Sequence, residues 1–350
     1  MAKEITIGNL VCKPGTKSKG YLIVGESPSQ SDVQIPIVVI NGVGEGPTLC
    51  LTGGIHGTEY AGMLSILNLL AATDPKDLNG TLIGIPVVNV TGFEARQYTC
   101  VVDGQNTSRS FPGDATWGGP ETSISFRTAH AISRDAYPKI DYELDLHGGG
   151  LHTLEGMEYC IISRTGNEKV DKEVDALSKC FRVKYRQVRP LPSRLGASTY
   201  ALSQGIPALT AESGRSYMIK ESSMQFFAKG VNNVMKYLKM IEGTPNEYPE
   251  PKDVLGLKRL RAKRGGFFLP KVKPGTEVSE GEVVGEVKNL HGETVDTIAV
   301  PEDGVVCTIF HKPPVFSGDT VMHLGCWKRD EFTDISPIGR LVAPELNLIR

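Results

Sequence analysis

Apolar residues in the first two thirds of the chain follow two alternating patterns. Residues 21–24, 35–40, 48–52 and 82–89 are rich in β-branched residues and bounded by Gly, Pro or Asn, which predicts strands. Between the last two, residues 59–72 place Met63, Ile66, Leu67 and Leu70 at intervals of three and four, the stripe of a helix. Further helices are predicted over residues 121–136, 168–181 and 220–241, and further strands over 142–146 and 208–211. The stretch Gly205-Ile206-Pro207 ends another helix before the last of these strands. Strands alternating with helices imply crossover connections, hence an α/β domain spanning residues 1–242.

The rhythm breaks at residues 243–256, where Pro245, Pro249 and Pro251 stand among charges, the composition of a linker. Residues 257–350 then form a predicted second domain. Its body, residues 266–325, has short β-type runs separated by Gly, Pro and Asp, so it is expected to be all-β. Two halves of similar punctuation resemble the barrel-sandwich fold of biotinyl and lipoyl carrier domains. The tip between them, Lys288-Asn289-Leu290-His291-Gly292, lacks a carrier domain's lysine motif. A structural role is therefore expected for this domain.

Length agrees with this division, since 350 residues at roughly 150 per domain suggest about two. Charge excludes one class of partner: a formal net charge of -2 leaves no basic excess for nucleic acid. No apolar run approaches the roughly 20 residues of a membrane span, and Met1-Ala2-Lys3-Glu4 opens no signal-peptide pattern. A cytoplasmic protein is expected. The 7 cysteines show no C-x-x-C spacing, so they are read as free thiols.

Candidate chemistry sits where strands run into glycines. In Gly53-Gly54-Ile55-His56-Gly57-Thr58-Glu59, a strand ends, a tight turn follows and a helix begins. The H-x-x-E spacing offers an imidazole and a carboxylate around one turn, two ligand types that suit zinc. In Glu143-Leu144-Asp145-Leu146-His147-Gly148, His147 could complete a His-Glu-His set, with Asp145 on the same strand face to orient it. Glu212 closes an apolar strand before Gly214 and is placed as a general base at a sheet edge. Arg96, Asn106 and Arg109 lie in a loop over residues 92–119 that could present cations to an anionic substrate. Singly, each signal also has an ordinary reading: a helix cap, a strand-end histidine or a surface carboxylate.

Together these segments resemble the succinylglutamate desuccinylase and aspartoacylase family, relatives of zinc carboxypeptidases, over almost the whole chain. The family's G-x-H-G-x-E motif matches residues 54–59, its D-L-H matches Asp145-Leu146-His147, and its G-I-P…E-x-G matches residues 205–214. The resemblance implies a zinc-carboxypeptidase-like mixed sheet flanked by helices, with one Zn2+ per chain on His56, Glu59 and His147. It implies Glu212 as the base that handles the water proton. The family's D-G-x-N-x-N-R-x-F-P-G loop matches residues 103–113, which makes Asn106, Ser108 and Arg109 the substrate-binding set. Ser108 replaces the family's second asparagine. Arg96 is carried over as the group that polarises the scissile carbonyl, although it lies farther from the Asp-Gly pair than the family arginine does.

The activity implied is a zinc amidohydrolase that releases an acyl group from an N-acyl amino acid or a similar small amide. A zinc carboxypeptidase acting on short peptides and a non-catalytic small-molecule-binding protein are the rival readings. The β-domain offers a contact surface for a homo-oligomer. His130 is read as a half-buried helix residue, and His291, His311 and His323 as structural. His152 could line the substrate site or lie outside it. Arg186, Arg189 and Arg194, with Lys184, read as a solvated basic face from which Arg194 could reach substrate.

Overall fold

The computed structural model describes residues 3–114, 123–149, 153–310 and 313–328. A hairpin of β1 (Ile5–Ile7) and β2 (Leu10–Cys12) precedes the main sheet. The chain continues through β3 (Thr16–Glu26), β4 (Asp32–Asn41), β5 (Gly44–Gly53), α1 (Tyr60–Ala72), β6 (Asn79–Ile85) and α2 (Val90–Glu94). It then forms α3 (Ile124–Asp135), β7 (Tyr142–His147), β8 (Thr153–Gly156), β9 (Tyr159–Arg164), α4 (Glu168–Lys179) and β10 (Tyr185–Pro190). After these come α5 (Ala197–Ser203), β11 (Ala208–Glu212), α6 (Glu221–Tyr237) and β12 (Lys252–Val254). The expected α/β alternation is therefore present. Glu121 and Thr122 of the helix predicted over residues 121–136 lie outside the described residues, as do His152, His311 and residues 329–350.

Nine strands form one mixed sheet in the order β12-β10-β9-β11-β7-β5-β6-β4-β3. β6, β5, β7 and β11 are parallel neighbours, while β9 runs antiparallel to β11. Central strands are apolar on both faces: Leu49, Cys50, Leu51, Leu144, Leu146, Leu209 and Ala211 are all buried. That follows from helices covering the sheet. α1 packs on β5, β6 and β7, and α4 and α5 pack on β9, β11 and β7.

Three strands of this sheet have no counterpart in the apolar pattern: β9, β10 and β12. In β10 a charge interrupts the apolar run, because Arg186 is buried in the sheet. Its guanidinium is satisfied by acids brought from elsewhere, Asp253 at 2.7 Å and Asp175 and Glu250 at 3.2 Å each. Arg186 is therefore a structural ion-pair centre and not part of a solvated face. The same interaction corrects the predicted linker over residues 243–256. Lys252–Val254 pairs with β10 as an edge strand, and Asp253 supplies the bond that fastens it.

From Gly256 the elements among the described residues are all strands. β13 (Gly256–Arg261), β14 (Gly266–Pro270), β15 (Glu277–Val278) and β16 (Val283–Lys288) come first. β17 (Thr294–Ala299), β18 (Gly304–Phe310), β19 (Pro314–Val315) and β20 (Thr320–Cys326) complete the run. They form a four-stranded sheet, β17-β16-β14-β19, and a sheet built on β13-β20-β18-β15. β8, from the connection after β7, joins the second sheet by pairing with β18. Phe268, Val284, Val287, Val306, Met322 and Leu324 form a separate apolar core there. Among the described residues, no helix is long and apolar enough to cross a membrane.

Candidate metal centre

The parallel trio β5, β7 and β11 delivers three segments to one sheet edge. After β5, Gly54 takes a left-handed φ of 62° that side chains disfavour. The turn carries His56 forward, and Glu59 stands at the N-cap of α1. On β7, Glu143, Asp145 and His147 alternate on one face. The next residue, Gly148, must lack a side chain, because a Cβ there would lie 2.9 Å from Glu59 Cβ. Glu212 ends β11 directly opposite His147 in the register.

His56, Glu59 and His147 are buried, and their ligand atoms lie within 4.8 Å of one another. Nδ1 of His56 is 3.1 Å from Glu59 Oε1, and Nδ1 of His147 is 3.2 Å from Glu59 Oε2. Both far ring nitrogens are held from behind. His56 Nε2 meets Asn106 Oδ1 at 3.0 Å, and His147 Nε2 meets Asp145 Oδ2 at 2.9 Å. Acceptors at Nε2 put the proton there and leave each Nδ1 with a lone pair facing the centre.

Electrostatics point to the same conclusion. Burial opposes ionisation of Glu59, but the facing imidazoles outweigh it and hold its carboxyl well below the usual carboxylate range. Burial also opposes charge on His147, and there Asp145 and Glu59 outweigh it, raising its affinity for a proton. The position thus favours a cation. His56 Nδ1, buried, makes no hydrogen bond among the described residues despite the nearby carboxylate. An orphaned imidazole nitrogen, a second imidazole and a carboxylate fit the donor set of a zinc site with an open position.

Glu212 Oε2 accepts the Gly149 N–H at 3.1 Å. Burial pushes its carboxyl up to about 7, against the attraction of His147. It lines a cavity of about 380 Å³ with His56, His147, Ser108 and Arg109. Arg189 and Arg194 line the same cavity, so the structure moves these two from the expected solvated face to its wall. Arg189 was hidden from the sequence pattern because β10 itself was.

The loop that carries Arg96, Asn106 and Arg109 departs from the expectation in two places. Asn106, read as a substrate contact, spends its carbonyl oxygen on His56 Nε2, on the Ser108 N–H at 3.0 Å and on the Ser108 hydroxyl at 2.7 Å. Ser108 therefore braces Asn106, which in turn orients the His56 ring. Arg96 is the other change. It is exposed, closes the turn after α2 with φ 56° and is absent from the cavity wall. The same turn brings Tyr98 instead, whose ring stacks on His56 at 3.8 Å and 12°. No periodicity or motif marks Tyr98 in the sequence.

A mixed α/β sheet with a His-Glu-His cluster and a glutamate at its edge defines a class of candidate metal-centred proteins. Residues 45–238 match the succinylglutamate desuccinylase/aspartoacylase catalytic domain, and the chain belongs to that family. It is 27% identical over 296 residues to N-alpha-acetyl-L-2,4-diaminobutyric acid deacetylase from Halomonas elongata, covering 83% of this chain and 84% of that protein. A solved succinylglutamate desuccinylase/aspartoacylase from Rhodobacter sphaeroides is 26% identical with a TM-score of 0.77, over 88% of this chain and 94% of the other. The product-bound ectoine utilization protein EutE (DoeB) from Ruegeria pomeroyi is 25% identical with a TM-score of 0.77, covering 89% and 94%.

Proposed function

We propose that this chain is a zinc-dependent amidohydrolase that deacylates N-acyl amino acids. The observation that carries the reading is the pair of Nδ1 atoms and the Glu59 carboxylate converging beside Glu212. Zinc bound there would supply a Lewis acid for the amide carbonyl and lower the pKa of water to about 7. His56, Glu59 and His147 would hold it, with Asn106 and Asp145 fixing the two rings. Glu212 takes the proton of the attacking water and returns it to the departing amine. Arg109 holds the substrate carboxylate, with Arg189 and Arg194 adding positive potential along the wall. We assign no oxyanion role to Arg96, which stands outside the cavity.

The deacetylase name of the Halomonas relative supports an acyl amide over a peptide as substrate. The β-strand segment after residue 256, read as a barrel-sandwich-like accessory domain, supports a capped site over the open groove of a peptidase. Residues 1–242 with the β12 edge strand would then be the hydrolase unit.

The experiment is a panel of N-acyl α-amino acids, their decarboxylated N-acyl amines and short peptides, assayed with and without zinc. Turnover should require zinc and favour the acids. Arg109→Ala should lower kcat/KM for the acids by about 10–100-fold, the scale of one charge-assisted hydrogen bond, and spare the neutral amines. Equal losses for both types would mean that the loop is structural. Preferred turnover of peptides would sink the deacylase reading.

A further inference from the structure

Behind the metal ligands lies a carboxyl group with no assigned task. Glu143 is fully buried on β7, on the face that carries Asp145 and His147. Its Oε1 is 2.9 Å from the Tyr137 hydroxyl and 3.1 Å from Thr52 Oγ1, and its Oε2 has no hydrogen-bond partner among the described residues. Thr52 Oγ1 is also 2.9 Å from Asp145 Oδ1. The groups facing Glu143 are Tyr137, Thr52 and Cys50 on β5, and Asp145, none of them a cation.

A count of protons decides the state of this chain. Thr52 has one hydroxyl proton and stands between two carboxyl oxygens, so it can donate to only one. Asp145 already meets the His147 ring N–H at 2.9 Å on its other oxygen. If Glu143 and Asp145 were both ionised, two buried carboxylates would compete for one hydroxyl, with no positive charge to offset the second. If Glu143 keeps its proton, every short contact has a donor.

We propose that Glu143 is a positioning residue: as a carboxylic acid it donates to Thr52, Thr52 donates to Asp145, and Asp145 so oriented holds His147 with Nδ1 turned to the metal position. Each proton is used once: Oε1 carries the acid proton toward Thr52 and accepts the Tyr137 hydroxyl proton. Burial and then the Asp145 charge push the Glu143 carboxyl up to about 8, the same direction. The inference rests on the zinc reading for its consequence but not for the proton on Glu143.

Two measurements on the full chain test it. The first is infrared absorption at neutral pH, where a buried carboxylic acid gives a C=O stretch separate from carboxylate bands. Wild type should show that band, and Glu143→Gln should lose it. The second is zinc affinity by chelator competition. The Glu143→Gln amide can donate to Thr52 in the acid's place, so affinity should stay within a few-fold of wild type. Glu143→Ala and Thr52→Val should each weaken zinc by about 10–100-fold, the usual cost of losing support behind a metal ligand. Combining them should add little, because both break one chain. A missing acid band would overturn the proposal. So would Glu143→Gln weakening zinc as much as Glu143→Ala, or Thr52→Val leaving affinity unchanged should the alanine variant fail to fold. If wild type binds no zinc, the metal reading fails, and the infrared band still decides the proton.

Discussion

Glu212→Gln should lower turnover by about 100-fold or more while leaving zinc content and substrate KM near wild type. The substitution keeps the shape of the side chain and an oxygen for the Gly149 N–H, which Glu212 Oε2 now accepts at 3.1 Å. What it removes is a basic site at neutral pH, and general acid–base assistance is worth about 100- to 10,000-fold. Because Glu212 is not one of the three metal-facing residues, the loss should fall on kcat. The pH profile gives an independent reading. Burial sets the carboxyl at about 7, and a dication beside it lowers that value by attraction. The base must be ionised to work, so kcat/KM should rise with pH along an acid limb lying below about 7. That limb should vanish from the residual activity of Glu212→Gln. Near-normal turnover in the variant would mean that another group accepts the water proton.

Much of this site was legible in the sequence because its parts lie next to glycine at strand ends. His56, Glu59, His147 and Glu212 are each fixed by a local pattern: a strand, a turn residue and a short spacing. The sheet register needs only to bring those ends together, as it does when Glu212 pairs with His147. Residues whose role depends on a distant partner were not legible. Asn106 reads as a loop amide available to substrate, and only the folded chain shows its oxygen committed to His56. Arg186 breaks the pattern of β10 because the acids that neutralise it come from α4 and from residues 250–253. That lost strand took Arg189 with it, and so one cation of the cavity wall. Arg96 failed differently. It was read as standing near the place of a family arginine, but the turn after α2 leaves it exposed and packs Tyr98 on His56. Helix and strand periodicity carries no information about which way such a turn delivers its side chains.

The candidate metal centre makes the other large prediction. Wild-type protein should bind about one zinc per chain, and His147→Ala should weaken that binding by more than about 100-fold. The lower bound comes from the neighbours: changing a group that merely supports a ligand costs about 10–100-fold, and a ligand itself should cost more. Asp145→Asn, which weakens the acceptor at His147 Nε2, should therefore fall between wild type and His147→Ala. The order matters more than either value. In this structure Asp145 contacts the cluster at His147, at 2.9 Å, and His147 faces Glu59 at 3.2 Å. Once His147 is gone, Asp145→Asn should have little further effect on zinc, since nothing remains for it to orient. The sheet should survive, because His147 ends β7 and its neighbours Leu144 and Leu146 supply the packing. Circular dichroism and zinc titration on the same samples separate the two effects. Full zinc occupancy in a folded His147→Ala protein would remove His147 from the ligand set. A folded double variant that still lost affinity through Asp145 would show that the aspartate acts on the metal directly.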